Sequence, residues 1–295
     1  MAAASLLTAA RPTAADQPRP MAEKRAIPAS GELLPVLGLG TYQSFDVGTD
    51  ATQYPALLEV LKSFREHGAT LIDSSPMYGS SETVIGELSA QLGITEKLFM
   101  ATKVWTSGHA AGVRQMEESF ARMRVQRMDL MQIHNLLDWR THLITLKEWK
   151  AAGRIRYLGI THYHSGAYDE LERLMKMKAF DFVQFNYSIA EREAEQRILP
   201  LARDLGVAVI VNRPFAQASL FSHVKGKELP DWAADFGCHS WAQFFLKYIL
   251  GHPAVTCAIP ATGKLRHLID NMAAASDPFP DMAARTRMVD FMDTL

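Results

Sequence analysis

The stretch Met128-Asp-Leu-Met-Gln-Ile-His134 is a short run dominated by apolar residues that stops on a histidine. Its length and composition read as a buried β-strand with a polar residue at its carboxyl end. The same form recurs outward in both directions. Leu98–Lys103 precedes it and stops on a lysine, and Tyr157–Thr161 follows and stops on a threonine. Further out, Val36–Thr41, Ala69–Asp73, Phe182–Asn186, Val207–Val211 and Val255–Ile259 complete a set of eight strand-like runs.

Between these runs the apolar residues fall at helical spacing. Leu57, Leu58, Leu61 and Phe64 make one stripe ended by Gly68. Val84, Ile85, Leu88 and Leu92 make another, opened by Ser80 or Ser81 and ended by Gly93. Val113–Met123, Leu143–Trp149, Tyr168–Met175, Ile198–Leu205, Trp241–Leu250 and Leu265–Met272 continue the series. Each strand is followed by a helix, which implies an α/β fold with parallel strands and right-handed crossovers. Eight such units close into a (βα)8 TIM barrel, and a doubly wound open sheet is the alternative that the pattern leaves open. Ala26–Leu34, with Ser30-Gly31 at its centre, reads as a β-hairpin before the barrel, and Asp281–Leu295 as a C-terminal helix outside it.

At 295 residues the chain admits two domains of about 150 residues or one barrel of about 250 with extensions. The repeat favours one barrel over residues 25–295. Lys and Arg number 31 against 32 Asp and Glu, so the net charge gives no reason to expect nucleic acid or an acidic membrane as a partner, local basic patches being left open. No run of about 18 apolar residues occurs. Cys238 and Cys257 are too few for a disulfide framework and read as buried apolar residues. His162 and His164 flank Tyr163 with no third ligand nearby, so no metal site is expected. Residues 1–24 read as a disordered Ala/Pro leader, the protein then being cytoplasmic. Ala2–Ala10 followed by Arg11 also has the middle and end of an export signal, and a trimmed remnant of one would place the protein in the periplasm.

In a barrel of this type the loops at the carboxyl ends of the strands build the active site. Asp73, Lys103 and His134 end the second, third and fourth strands, and Tyr78 follows the second in Ser74-Ser-Pro-Met-Tyr-Gly79. Singly, each is an ordinary strand-end or core residue. Together they surround one point with a set suited to carbonyl reduction. Charge grows on the carbonyl oxygen as hydride arrives at carbon, and a proton donor beside it relieves that charge. An unperturbed tyrosine has a pKa of about 10, and a neighbouring buried ammonium is expected to lower it. Tyr78 is therefore the expected general acid, Lys103 its electrostatic partner, Asp73 the partner of Lys103, and His134 the orienter of the carbonyl and a proton relay.

These residues and their strands resemble the aldo-keto reductase superfamily across residues 26–275. Gly38-Leu-Gly-Thr41 is similar to that family's first strand, Leu71–Gly79 to its Asp-to-Tyr signature, Ala101-Thr-Lys103 to its lysine strand and Leu130–His134 to its histidine strand. The resemblance implies a barrel that reduces an aldehyde or ketone with NADPH, NADH being the second choice. It implies that Thr161, His162 and Gln184 hold the nicotinamide carboxamide, although His162 departs from the family's usual asparagine. Asn212, with Arg213 and Pro214, stands where many members place an aromatic against the nicotinamide ring. Thr262, Lys264, Arg266 and Asn271 match the segment at the adenosine end, and His267 replaces a common arginine. Tyr42, Trp105 and Asn135 are expected to line the substrate pocket. The retained His134 favours carbonyl over carbon–carbon double-bond reduction. A monomer acting on a small carbonyl compound is expected. The alternative is a redox-sensing regulatory subunit like the β-subunits of potassium channels, which share the fold and the four residues.

Overall fold

The alternation along the chain closes into a barrel. A computed structural model, which describes residues 22–48 and 50–295, contains a two-stranded antiparallel hairpin, β1 (Lys24–Ala26) with β2 (Leu33–Pro35), and a parallel eight-stranded sheet. The sheet strands are β3 (Leu39–Gly40), β4 (Leu71–Asp73), β5 (Phe99–Val104), β6 (Met128–His134), β7 (Ile155–Thr161), β8 (Phe182–Asn186), β9 (Ala208–Asn212) and β10 (Cys257–Ala258). They pair in chain order from β3 to β10. Closure comes from Gly38 N–H donating to Ala258 O at 2.8 Å and Ala258 N–H donating to Val36 O at 2.9 Å. That seam excludes the open sheet.

The two seam strands are shorter than the sequence suggests, because there the chains meet through isolated bridges. Their approach is close. A Cβ on Gly40 would sit 2.8 Å from Ile259 O across the seam, and one on Gly38 would sit 2.8 Å from Leu71 O of β4 on the other side. Gly40 thus serves barrel closure, and Gly38 the close approach to β4.

Eight helices follow the strands as expected: α1 (Tyr54–Glu66), α2 (Ser81–Gln91), α3 (His109–Met123), α4 (Trp139–Ala151), α5 (Tyr168–Met175), α6 (Ile198–Leu205), α8 (Trp241–Leu250) and α9 (Leu265–Ala273). The connection after β9 also carries a short helix the repeat did not suggest, α7 (Ser219–His223), and a 3-10 turn over Asp231–Phe236. Helix α10 (Met282–Met292) closes the chain, with Asp281 Oδ1 accepting Ala284 N–H at 2.8 Å as its N-cap. Arg285 locks α10 in place by donating to Tyr248 O at 3.0 Å and to the Tyr187 hydroxyl and Glu195 carboxylate.

Alternate side chains of each strand face inward. Near the amino ends these are apolar: Leu71, Phe99, Leu130, Tyr157, Phe182, Ala208 and Cys257 share one cluster with Ile27 and Leu34 of the hairpin segment. The hairpin therefore plugs the barrel floor, tied there by Tyr157 Oη, 2.7 Å from Ser30 Oγ and donating to Glu32 Oε2 at 2.6 Å. Of the leader expected over residues 1–24, residues 1–21 lie outside the described residues, whereas 22–24 belong to the fold. Ala22 N–H donates to His67 O at 3.1 Å, and Lys24 pairs with Pro35. A second, larger core lies between strands and helices, where Leu57, Val60, Leu61 and Phe64 of α1 pack against Ile72 and their neighbours. Each such side chain contributes about 1.5–3 kcal/mol on burial. Among the described residues no helix is long and apolar enough to cross a membrane.

Candidate active site

The inward positions turn polar at the carboxyl ends of the strands. Phe99, Ala101 and Lys103 share one face of β5, and Leu130, Gln132 and His134 share one face of β6, so the same period that builds the floor lifts Lys103 and His134 to the rim. Lys103 is fully buried. Its Nζ donates to Asp73 Oδ2 at 2.6 Å and to Ser74 O at 2.6 Å. Burial alone would push the Lys103 ammonium down, but Asp73 and Tyr78 outweigh it and the net direction is up, so the group stays charged.

Tyr78 arrives from the loop after β4. Its backbone N–H donates to Ser75 O at 2.9 Å, and its ring centroid lies 4.9 Å from Lys103 Nζ, 5.1 Å from the Tyr42 ring and 5.9 Å from the His134 ring. The loop is held from outside. Asp46 Oδ1 accepts both Ser80 N–H and Ser80 Oγ–H at 2.9 Å, and Gly79, which joins Tyr78 to Ser80, has φ +57°. Ser80 precedes α2 but does not cap it, because its hydroxyl bridges Asp46 and Gly48 N–H instead. The sequence reading expected Lys103 to lower the Tyr78 pKa. The net shift is upward, because burial, reinforced by Asp73, exceeds the pull of Lys103. Tyr78 is accordingly a protonated donor through the neutral range.

His134 has its Nδ1 3.0 Å from Ser75 Oγ. Burial, with the Lys103 and His162 charges beside it, pushes its pKa down to about 2, so the imidazole is neutral. Trp105 and Tyr42 flank this centre, 41% and 51% exposed, and the Trp105 ring lies 6.3 Å from His134. The Trp105 segment is stapled by Gln115 Oε1 accepting Trp105 N–H at 2.6 Å, His142 Nε2 lying 2.7 Å from Thr106 O, and Asp138 Oδ2 accepting Gly108 N–H at 2.8 Å. Asn135 follows His134 in a left-handed conformation with φ 52°, its Oδ1 buried without a partner among the described residues.

The residues expected at a nicotinamide are gathered beside this centre, but the structure gives some of them a further task. Gln184 Nε2 donates to Asp73 Oδ1 at 3.0 Å, and Gln184 Oε1 accepts from Thr161 Oγ1 at 3.0 Å. His162 turns its ring back onto its own segment, Nδ1 accepting Tyr163 N–H at 3.0 Å. Asn212 Nδ2 donates to His162 O at 3.0 Å, while Asn212 Oδ1 and Arg213 Nε are buried with no partner among the described residues. Pro214 is buried directly after them. These orphaned polar atoms are what a bound carboxamide and its neighbouring groups would satisfy.

Across the barrel mouth, helix α9 begins with no side-chain cap and no acidic residue in its first turn. Lys264, Arg266 and His267 are exposed around that end, and Thr262 Oγ1 accepts Lys264 N–H at 3.1 Å. Burial first, then the Arg266 and Lys264 charges, lower the His267 pKa against the opposing pull of Asp270. Free N–H groups and clustered cations suit a phosphate. Asn271 is buried on the same helix.

Three participants were absent from the sequence reading. Gln132 was detectable, since it lies two residues before His134 on the inward face of β6, and its Nε2 donates to Asp73 Oδ1 at 3.0 Å. Ser75 and Asp46 sit in loops, where no periodicity marks them.

A family model described as the aldo/keto reductase family matches residues 36–286. Methylglyoxal reductase YeaE of Escherichia coli (strain K12) is 29% identical over 259 residues, covering 85% of this chain and 89% of that protein. Aldo-keto reductase YhdN of Bacillus subtilis (strain 168) is 26% identical over 194 residues, covering 59% and 56%. Among solved structures, an aldo/keto reductase from Klebsiella pneumoniae in complex with NADP and acetate has a TM-score of 0.72 at 23% identity, covering 92% of this chain and 95% of that one. The holo form of aldo-keto reductase AKR11C1 from Bacillus halodurans has a TM-score of 0.74 at 21% identity, covering 92% and 96%. These structures share the fold. The family match runs from the start of the barrel into its closing helix, over the strands that carry Asp73, Lys103 and His134, and on it the chain belongs to the aldo/keto reductase family.

Proposed function

We propose that this protein is an NADPH-dependent carbonyl reductase that converts an aldehyde or ketone to an alcohol. The observation that carries the reading is the convergence of Tyr78, Lys103, Asp73 and His134 at one end of the barrel, with Lys103 buried and charged between Asp73 and the phenol. Reduced nicotinamide, when bound, supplies the hydride. Thr161, His162, Gln184, Asn212, Arg213 and Pro214 would hold the nicotinamide end, and Thr262, Lys264, Arg266 and Asn271 the adenosine end. The cations at the start of α9 favour the phosphorylated dinucleotide.

The chain's own groups account for the proton. Tyr78 Oη–H is a buried donor next to the ammonium of Lys103, so negative charge left on the phenolate after donation is met by a fixed positive charge. Asp73 keeps that ammonium charged and aimed. Neutral His134 offers hydrogen bonding to the carbonyl oxygen from the other side, which orients the substrate without a second cation near Lys103. Tyr42, Trp105 and Asn135 form the mouth, whose aromatic walls suit a small or flat carbonyl compound.

The name of the E. coli relative puts methylglyoxal on the substrate panel. The test is NADPH oxidation by the purified protein with methylglyoxal, aromatic aldehydes, quinones and sugars, each repeated with NADH. The reading expects turnover on at least one class, with higher kcat/KM for NADPH. Tight NADPH binding with no turnover on any carbonyl would contradict it.

A further inference from the structure

Ser75 stands at the tight turn between Asp73 and Tyr78, and its polar groups face in different directions. Its carbonyl accepts Tyr78 N–H at 2.9 Å. Its Oγ accepts Met77 N–H at 3.4 Å and lies 3.0 Å from His134 Nδ1. Ser75 is fully buried, so its hydroxyl hydrogen has no water to turn to. Leaving that hydrogen unpaired is costly, and His134 Nδ1 is the acceptor it meets among the described residues.

From this geometry we infer that Ser75 is a positioning residue: its hydroxyl donates to His134 Nδ1 and fixes the imidazole in the tautomer that carries its proton on Nε2. The opposite arrangement, with Nδ1–H donating to Oγ, would strand the serine hydrogen. A neutral ring has one N–H, so Nδ1 as acceptor makes Nε2 the donor. That nitrogen belongs to a ring flanked by Tyr78 and Trp105 at the barrel mouth. In the other tautomer a lone pair would face the carbonyl oxygen and repel it. Ser75 thus ties two donors together, holding the Tyr78 backbone through its carbonyl and the His134 proton through its hydroxyl. The tautomer follows from the contacts alone, whereas its use in turnover rests on the carbonyl-reductase reading.

The experiment labels histidine with 15N in the full chain, assigns His134 through His134→Gln, and reads its tautomer by long-range 1H–15N correlation near pH 7. The wild type is expected to show a pyrrole-type Nε2 and a pyridine-type Nδ1. Ser75→Ala should give a mixture of tautomers and about tenfold lower kcat for carbonyl reduction, with an unchanged Kd for NADPH, and Ser75→Thr should restore both. A wild-type Nδ1–H tautomer, or a Ser75→Ala protein with the same tautomer and the same kcat, overturns the inference. A wild type that reduces no carbonyl while showing the expected tautomers in both proteins overturns the functional reading and leaves the role of Ser75 standing.

Discussion

Gln184 Nε2 donates to Asp73 Oδ1 at 3.0 Å, sharing that oxygen with Gln132 Nε2, while Asp73 Oδ2 faces Lys103 Nζ at 2.6 Å. The carboxylate is therefore fixed by two amides on one side and aimed at the ammonium with the other. Gln184→Leu removes one of those donors and also leaves Thr161 Oγ1–H without its acceptor. A loss of about 1–3 kcal/mol in urea unfolding is expected, with kcat about tenfold lower. An effect confined to cofactor affinity, with stability and kcat intact, would show that Gln184 acts on the nicotinamide alone.

Gly79 has φ +57°, and a Cβ there would lie 2.2 Å from Asp46 Oδ1, the oxygen that grips Ser80. Gly79→Ala should displace the loop that carries Tyr78. We expect kcat to fall by about a hundredfold, with the fluorescence titration of NADPH little changed. The strained backbone adds about 1–3 kcal/mol of destabilisation, measurable as a lower Tm.

The pH profile follows from the two shifts at the centre. Tyr78 is raised, so the donor form persists through neutrality, and His134 is pushed down to about 2, so it stays neutral. Carbonyl reduction should be level from about pH 5 to about pH 9 and fall only at more alkaline pH. Alcohol oxidation, which needs the phenolate, should rise over that alkaline range. A bell-shaped reduction profile with a limb near pH 6.5 would show that His134 titrates.

Acid stability carries the same signature with a definite sign. The folded-state pKa of His134 is below the unfolded value, so its contribution is complete above about pH 6.5 and is lost as pH falls toward 2. Stability from urea titrations should decline by up to about 1.4 kcal/mol per pH unit over that window from this residue. His162 and His252, whose pKa values are both lowered to about 4, act in the same direction. His134→Gln should make the decline shallower, and an unchanged slope would contradict the assignment.

The barrel and the centre of its site were legible because both rest on periodicity. Inward alternation places Lys103 and His134 on the same faces as the floor residues Phe99 and Leu130, and hydrophobic runs of strand length recur eight times. What periodicity does not encode went unread. Ser75 and Asp46 act from loops, and Gln184 reaches Asp73 across a separation in sequence of 111 residues. The upward direction of the Tyr78 shift is not legible in the sequence, because the charge of Lys103 is visible there whereas the burial that exceeds it is a property of the closed barrel. The hairpin forms where the sequence places it, and its strands run on to Lys24 and Pro35, past the expected Ala26–Leu34, with Ile27 and Leu34 packed into the barrel floor.

The central claim is that Tyr78 donates the proton. Tyr78→Phe keeps the ring against Tyr42 and Lys103 while removing the hydroxyl, so steady-state reduction by this variant, measured beside its NADPH affinity, tests it most directly. The account predicts kcat lower by about a hundredfold to ten-thousandfold with a near-normal Kd for NADPH. Turnover within a few-fold of wild type would contradict it.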